Sequence, residues 1–123
     1  MAHFILLMFA VLLLAFCPAA RGAAAGVDLA ALEDWDIVVA EDALPSEQYA
    51  AEELQTHFQL AAGLRLPIVH TADRPGRHVF VGAGDAMRSS PVGFDAGGMG
   101  AEDLRIVVRD ENIAIAGGRP RGT

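Results

Sequence analysis

Residues 46–62 read SEQYAAEELQTHFQLAA, and this segment limits the possible folds more than any other. Ala50, Leu54, Phe58 and Ala61 recur at spacings of four, four and three, which places them on one face of an α-helix. Tyr49, Ala51 and His57 lie beside that stripe. Pro45 or Ser46 starts the helix, Glu47 suits the positive end of its dipole, and Gly63 stops it. A helix with a single apolar stripe must bury it against something. Short apolar runs on both sides supply the surface. Asp36–Ala40 (DIVVA) is a continuous, β-branched run, as expected of a strand covered on both faces. Leu66–His70 (LPIVH) is a second strand, with Pro67 marking an edge or a first position.

The remaining segments extend the sheet. His78–Gly82 (HVFVG) reads as a third strand after a turn at residues 71–77. Residues 83–99 are rich in Gly, Ser and Asp and hold at most a short helix near Asp85 to Arg88. Leu104–Val108 and Ile113–Ala116 form a hairpin around residues 109–112. The order is β-α-β-β-β. It predicts an α+β fold, a mixed sheet of about five strands with one long helix on one face. Residues 23–35 are a lead-in, with one or two helical turns between Val27 and Trp35.

The first residues have a different character. Phe4 to Phe16 (FILLMFAVLLLAF) is wholly apolar but shorter than the roughly 20 residues that span a bilayer. Small residues follow, and Ala20-Arg21-Gly22 fits a signal-peptidase site, so residues 1–22 are expected to be a signal peptide. The expectation is export to the periplasm or beyond, with no stable membrane anchor. Cleavage there removes Cys17, the only cysteine, so an exported domain of roughly 100 residues must be held by its core alone. The formal net charge is −7, and all nine basic side chains are arginine. Such an acidic chain is a poor partner for nucleic acid or anionic membrane.

No constellation of reactive side chains stands out. Gly82-Ala83-Gly84 follows a strand, but Met87 occupies the place of a third glycine, and a tight turn accounts for it. Glu53 and His57 are spaced i, i+4, which an ordinary helix-surface pair explains without a metal. Glu52 and Glu53 diverge around the helix and cannot flank one bond. Ser89-Ser90-Pro91 lacks a nucleophile elbow. No catalytic residue, metal ligand or cofactor site is therefore assigned. Arg119 and Arg121 flank Pro120 between glycines and are the candidate ligand or domain contact, because two guanidinium groups can hold a carboxylate or phosphate.

The stretch ALPSEQYAAEELQTHFQLAAGLRLPIV resembles the opening of a non-catalytic domain that precedes the barrel in several secreted glycoside hydrolases. Pro45, Ser46, Glu47, Ala50, Ala51, Glu53, Leu54, Gly63, Leu66, Pro67 and Ile68 fit its pattern. HVFVGAGD at 78–85 is similar to the strand that follows there. EDLRIVVRDENIAIAGGRPRGT at 102–123 is similar to the closing hairpin, with Leu104 where an aromatic residue is common. The relatives implied are N-terminal domains of bacterial α-glucuronidases and second domains of β-N-acetylhexosaminidases. The resemblance spans residues 36–123.

It implies an accessory domain, incomplete at its C-terminus. The turn after the hairpin would lead to a closing helix and then to a (β/α)₈ barrel carrying the catalytic carboxylates. A barrel takes about 250 residues, more than this sequence contains. The expected role is that of an accessory domain of a secreted carbohydrate-degrading enzyme, itself without catalytic residues, with carbohydrate as a further contact. Two alternatives stand beside it: a self-standing extracytoplasmic sugar- or anion-binding module, and a nonfunctional fragment.

Overall fold

The computed structural model describes residues 26–122. The signal-peptide segment, Cys17 and Thr123 lie outside them. Five strands form one mixed sheet: β1 (Asp36–Val39), β2 (Ile68–Val69), β3 (His78–Val81), β4 (Leu104–Arg109) and β5 (Asn112–Gly117). Helix α1 (Pro45–Ala62) joins β1 to β2, and the short helix α2 (Asp85–Arg88) follows β3. The sheet order is β2-β1-β3-β5-β4. β1 pairs in parallel with β2 and β3, β3 pairs in parallel with β5, and the β4–β5 hairpin is antiparallel. This is the expected α+β arrangement, and the short helix falls at Asp85–Arg88, where the sequence allowed one.

β1 and β3 are buried along their whole length, as their unbroken apolar sequences require. On one face Ile37, Val39, Val79 and Val81 meet Ala51 of α1, with Leu54 and Phe58 packed alongside. On the other, Val38, Phe80, Ala114 and Ala116 meet Met87, Val92 and Ala96 from α2 and the loop after it. Each large side chain so buried contributes about 1.5–3 kcal/mol. Leu32 and Trp35 of the lead-in join the first cluster through turns rather than through a regular helix.

The buried side of α1 is rotated from the stripe read in the sequence. Glu47, Ala51 and Gln55 are buried, whereas Tyr49 and Ala61 are exposed. Two polar side chains go inside because main-chain groups need them. Gln55 Nε2 donates to the Leu66 carbonyl at 2.6 Å. Glu47 turns back to accept the Leu44 amide at 2.9 Å, which satisfies the helix start. Gly63 ends the helix at φ 71°, its N–H bonded to Gln59 O.

β2 is only two residues long, shorter than the five-residue run in the sequence. Pro67 still contributes: its carbonyl accepts the Ile37 amide at 2.8 Å. The hairpin turn is tighter than expected. Asp110 and Glu111 alone form it, with φ 48° and 55°, the doubly left-handed geometry that matches strand twist.

The sheet is covered unevenly. α1 lies over β1, β2 and β3; on the same face β5 is half covered, with Ile113 and Ile115 packed against the α1 cluster, and β4 is left bare. Ile106 pairs with Ile115 and Val108 with Ile113, so these four side chains share that face. Ile113 and Ile115 are half-buried, while Leu104, Ile106 and Val108 are 55%, 60% and 42% exposed.

Candidate functional site at the carboxyl edge of the sheet

After β1 the chain turns to α1 on one face of the sheet. After β3 it turns to α2 on the other. The carboxyl ends of β1 and β3 therefore diverge, and a crevice opens at the point where open α/β sheets commonly take ligands. A cavity of about 490 Å³ lies there. Ala40 follows β1 in its wall, Ala83, Gly84 and Asp85 follow β3, and Arg119 follows β5. Asp42, Asp95 and Arg88 add charge.

The anchor of this edge is Glu47. Its side chain is only 4% exposed. One carboxylate oxygen accepts the Leu44 amide, and the other accepts the Ala83 amide at 3.3 Å. Gly82 makes room for it, with φ 85°; a Cβ there would lie 2.7 Å from the Glu47 carboxyl carbon. Gly84 is similarly confined: a Cβ there would lie 2.9 Å from the Ala40 Cβ. The Gly-x-Gly after β3 is thus a packing device around a buried carboxylate. It has no phosphate-binding loop around it.

Arg119 Nη2 lies 3.7 Å from Glu47 Oε2, and Ser46 Oγ donates to the Pro120 carbonyl at 3.3 Å. These contacts tie the turn after β5 to the first turn of α1. Arg121 goes elsewhere: its guanidinium meets Glu102 at 3.1 Å, where both side chains are largely exposed. The two candidate arginines therefore have separate carboxylate partners, and Arg119 alone of the two lines the cavity. Arg88 is held by the Asp85 carboxylate and the Ala83 carbonyl. The cavity offers guanidinium donors and carboxylate acceptors with no aromatic wall, a chemistry suited to small, hydroxyl-bearing or charged molecules.

A second polar group occupies the opposite edge, and the sequence did not reveal it. Asp36, His78 and Asn112 stand in register at the amino ends of β1, β3 and β5. All three are buried. His78 Nδ1 is 2.6 Å from Asp36 Oδ1, and its Nε2 is 2.8 Å from the Arg74 carbonyl. Arg74 returns to Asp36 Oδ2 at 3.0 Å. Asn112 Nδ2 donates to the carbonyls of Pro75 and Asp110. The row pins the loop between β2 and β3 beneath the sheet. Its hydrogen-bonded atoms face main-chain oxygens and each other, which is structural bonding; Asn112 Oδ1 is buried without a partner, and His78 and Asn112 line a cavity of about 350 Å³.

The other histidines stay apart. His57 sits on the exposed face of α1 beside Glu53, 3.7 Å away. His70 Nδ1 is 3.0 Å from the Val39 carbonyl. Among the described residues, no group of three His, Cys, Asp or Glu side chains is placed to hold a metal ion. No described helix is long and apolar enough to cross a membrane. No protein-family model, curated protein or solved structure matches this chain.

Proposed function

We propose that this protein is the accessory N-terminal domain of a secreted carbohydrate-degrading glycoside hydrolase, of the α-glucuronidase or hexosaminidase type. It supplies no catalytic group itself. It packs beside a (β/α)₈ barrel of the same polypeptide. The observation that carries this reading is the bare β4 edge of the sheet, where Leu104, Ile106 and Val108 expose an apolar strip on the face that carries α1. Isolated exposed apolar residues need no explanation, but a strand that presents three in a row on one face fits a surface made for a neighbour.

The turn after β5 fits the same reading. A Cβ on Gly117 would meet the Gly122 carbonyl, so the chain folds back over the face that carries α1 and the strip.

The test has two arms. The purified chain is assayed on aryl β-N-acetylglucosaminides and on 4-O-methylglucuronoxylan oligomers, with no turnover expected; turnover by clean wild-type protein overturns the non-catalytic role. The coding sequence beyond Thr123 is then read in its native locus. An open frame leading into a helix and a barrel supports the accessory role, and a stop codon followed by an unrelated gene contradicts it. Arg119 on the cavity wall favours one second reading, a stand-alone module for sugars or small anions. Saturable calorimetric binding of a monosaccharide that Arg119→Ala abolishes would select it.

A further inference from the structure

The geometry points to β4 as a self-pairing edge: two copies of this chain join antiparallel through Leu104–Arg109, with the two-fold axis at Ile106. β4 is the outermost strand beside the hairpin. It holds no proline, glycine or lysine, the residues and charge with which edge strands are usually blunted. Its two arginines carry their charge on the sheet face opposite the apolar strip. Arg105 stacks over the Phe94 ring at 5.1 Å, and Arg109 reaches the Pro91 carbonyl at 3.4 Å.

The direction of the free main-chain groups follows from one bond. The Asp103 carbonyl accepts the Gly118 amide at 3.0 Å, so the carbonyl of residue 103 points to the β5 side, while its amide donates to the Gly100 carbonyl. Antiparallel strands alternate, so Leu104, Ile106 and Val108 turn their N–H and C=O groups outward. The same three residues carry the exposed apolar side chains. Backbone and side chains thus offer themselves at the same positions.

Charge then selects the register. With the axis at Ile106, Leu104 faces Val108 of the second copy, Ile106 faces its own counterpart, and Asp103, whose Oδ2 accepts the Gly100 amide at 2.7 Å, turns its other carboxylate oxygen to Arg109. Every outward group finds a partner, and two opposite-charge pairs form on the far face. With the axis one residue on, at Val107, Arg105 would face Arg109, a like-charge pair that is destabilising. A six-residue edge buries less than a permanent dimer needs, so the association is reversible and rises with concentration. The pairing uses the edge and leaves the face beside α1 open to the neighbouring domain proposed above.

The experiment uses single cysteines in the full chain with Cys17→Ser, under mild oxidation. Ile106→Cys is expected to form a covalent dimer, because paired residues across the axis have Cα atoms about 5.5 Å apart. Val107→Cys and Val108→Cys are expected to stay monomeric; at Val108 the two positions are four residues out of register. Association driven by the apolar residues 4–16 would not give a pattern confined to one position. In parallel, sedimentation of the chain without added cysteine should show a dimer that Arg109→Glu weakens by roughly tenfold and that Asp103→Arg with Arg109→Glu restores. Ile106→Lys, a change at a 60% exposed site, should be monomeric with an unaltered circular dichroism spectrum. A wild type that is monomeric at all concentrations overturns the proposal, as does crosslinking at Val107 or Val108 in place of Ile106.

Discussion

The two halves of the sheet face that carries α1 are built from similar residues and end in opposite conditions. Under α1, Ile37, Val39, Val79 and Val81 are nearly inaccessible to solvent. Two strands away, Leu104, Ile106 and Val108 are open. Strand propensity is similar in both places, since each strand carries three β-branched residues. What differs is cover. The helix spans three strands of a five-stranded sheet, so composition alone does not say which apolar strand residues are core and which are surface. The covered half holds the domain together. The bare half is available for association.

The largest test of that contrast lies in the covered half. Ile37→Ala empties a fully buried position under α1 and should lower stability by about 2–5 kcal/mol, read as a fall in the urea midpoint at constant m. A loss below about 1 kcal/mol would mean that this region is loosely packed and the contrast is false.

Next comes the polar row beneath the sheet. Asp36→Ala leaves His78 Nδ1 and Arg74 Nη2 without their shared acceptor and should cost about 3 kcal/mol. The informative control is Asp34→Ala, where the ion pair with Arg77 is exposed and less than about 1 kcal/mol is expected. Equal losses at the two sites would show that the row is ordinary surface bonding.

A smaller effect is expected at the carboxyl edge. Gly82→Ala forces a side chain into left-handed backbone and against the Glu47 carboxylate, which predicts a loss of roughly 1–2 kcal/mol. Gly26→Ala has open space around it and no positive φ, and should be neutral. If Gly82→Ala is also neutral, Glu47 is not the anchor of that edge.

The smallest effect belongs to the bare half. Ile106→Ser, measured at dilution, should change stability by no more than about 0.5 kcal/mol, although the same change at Ile37 would be severe. A large loss at Ile106 would place the strip in the core and remove the reason for a partner.

Much of the fold was legible in the sequence. The helix at 45–62 carried a stripe, a proline start and a glycine stop, and two short apolar strands flanked a polar turn. The interior of the helix was less legible. Glu47 read only as a partner for the helix dipole, and Gln55 carried no signal, because main-chain groups that draw them inward belong to other parts of the chain. β2 read as five residues long, and the structure pairs only two, because nothing in a local apolar run reports where a neighbouring strand ends.

The sites were harder still. Asp36, His78 and Asn112 are distant in sequence and meet only through the register β1–β3–β5. Arg119 and Arg121 sit two residues apart, and a short turn sends one to α1 and the other to the approach to β4. Adjacency along the chain suggested a shared role, and the fold gives them different partners. The glycine at 82 did carry a local signal, but its reason, a buried carboxylate 35 residues upstream, did not.

The most direct test of the account is amide hydrogen exchange on the wild-type protein across a dilution series. The account predicts that Ile37 and Val79 exchange slowly at every concentration, while the outward amides of Leu104, Ile106 and Val108 exchange fast at dilution and slow as concentration rises. Slow exchange of those three amides at every dilution would show that the edge is already closed within one chain. Fast exchange at every concentration would show that the bare half meets no second copy, and either result contradicts the account.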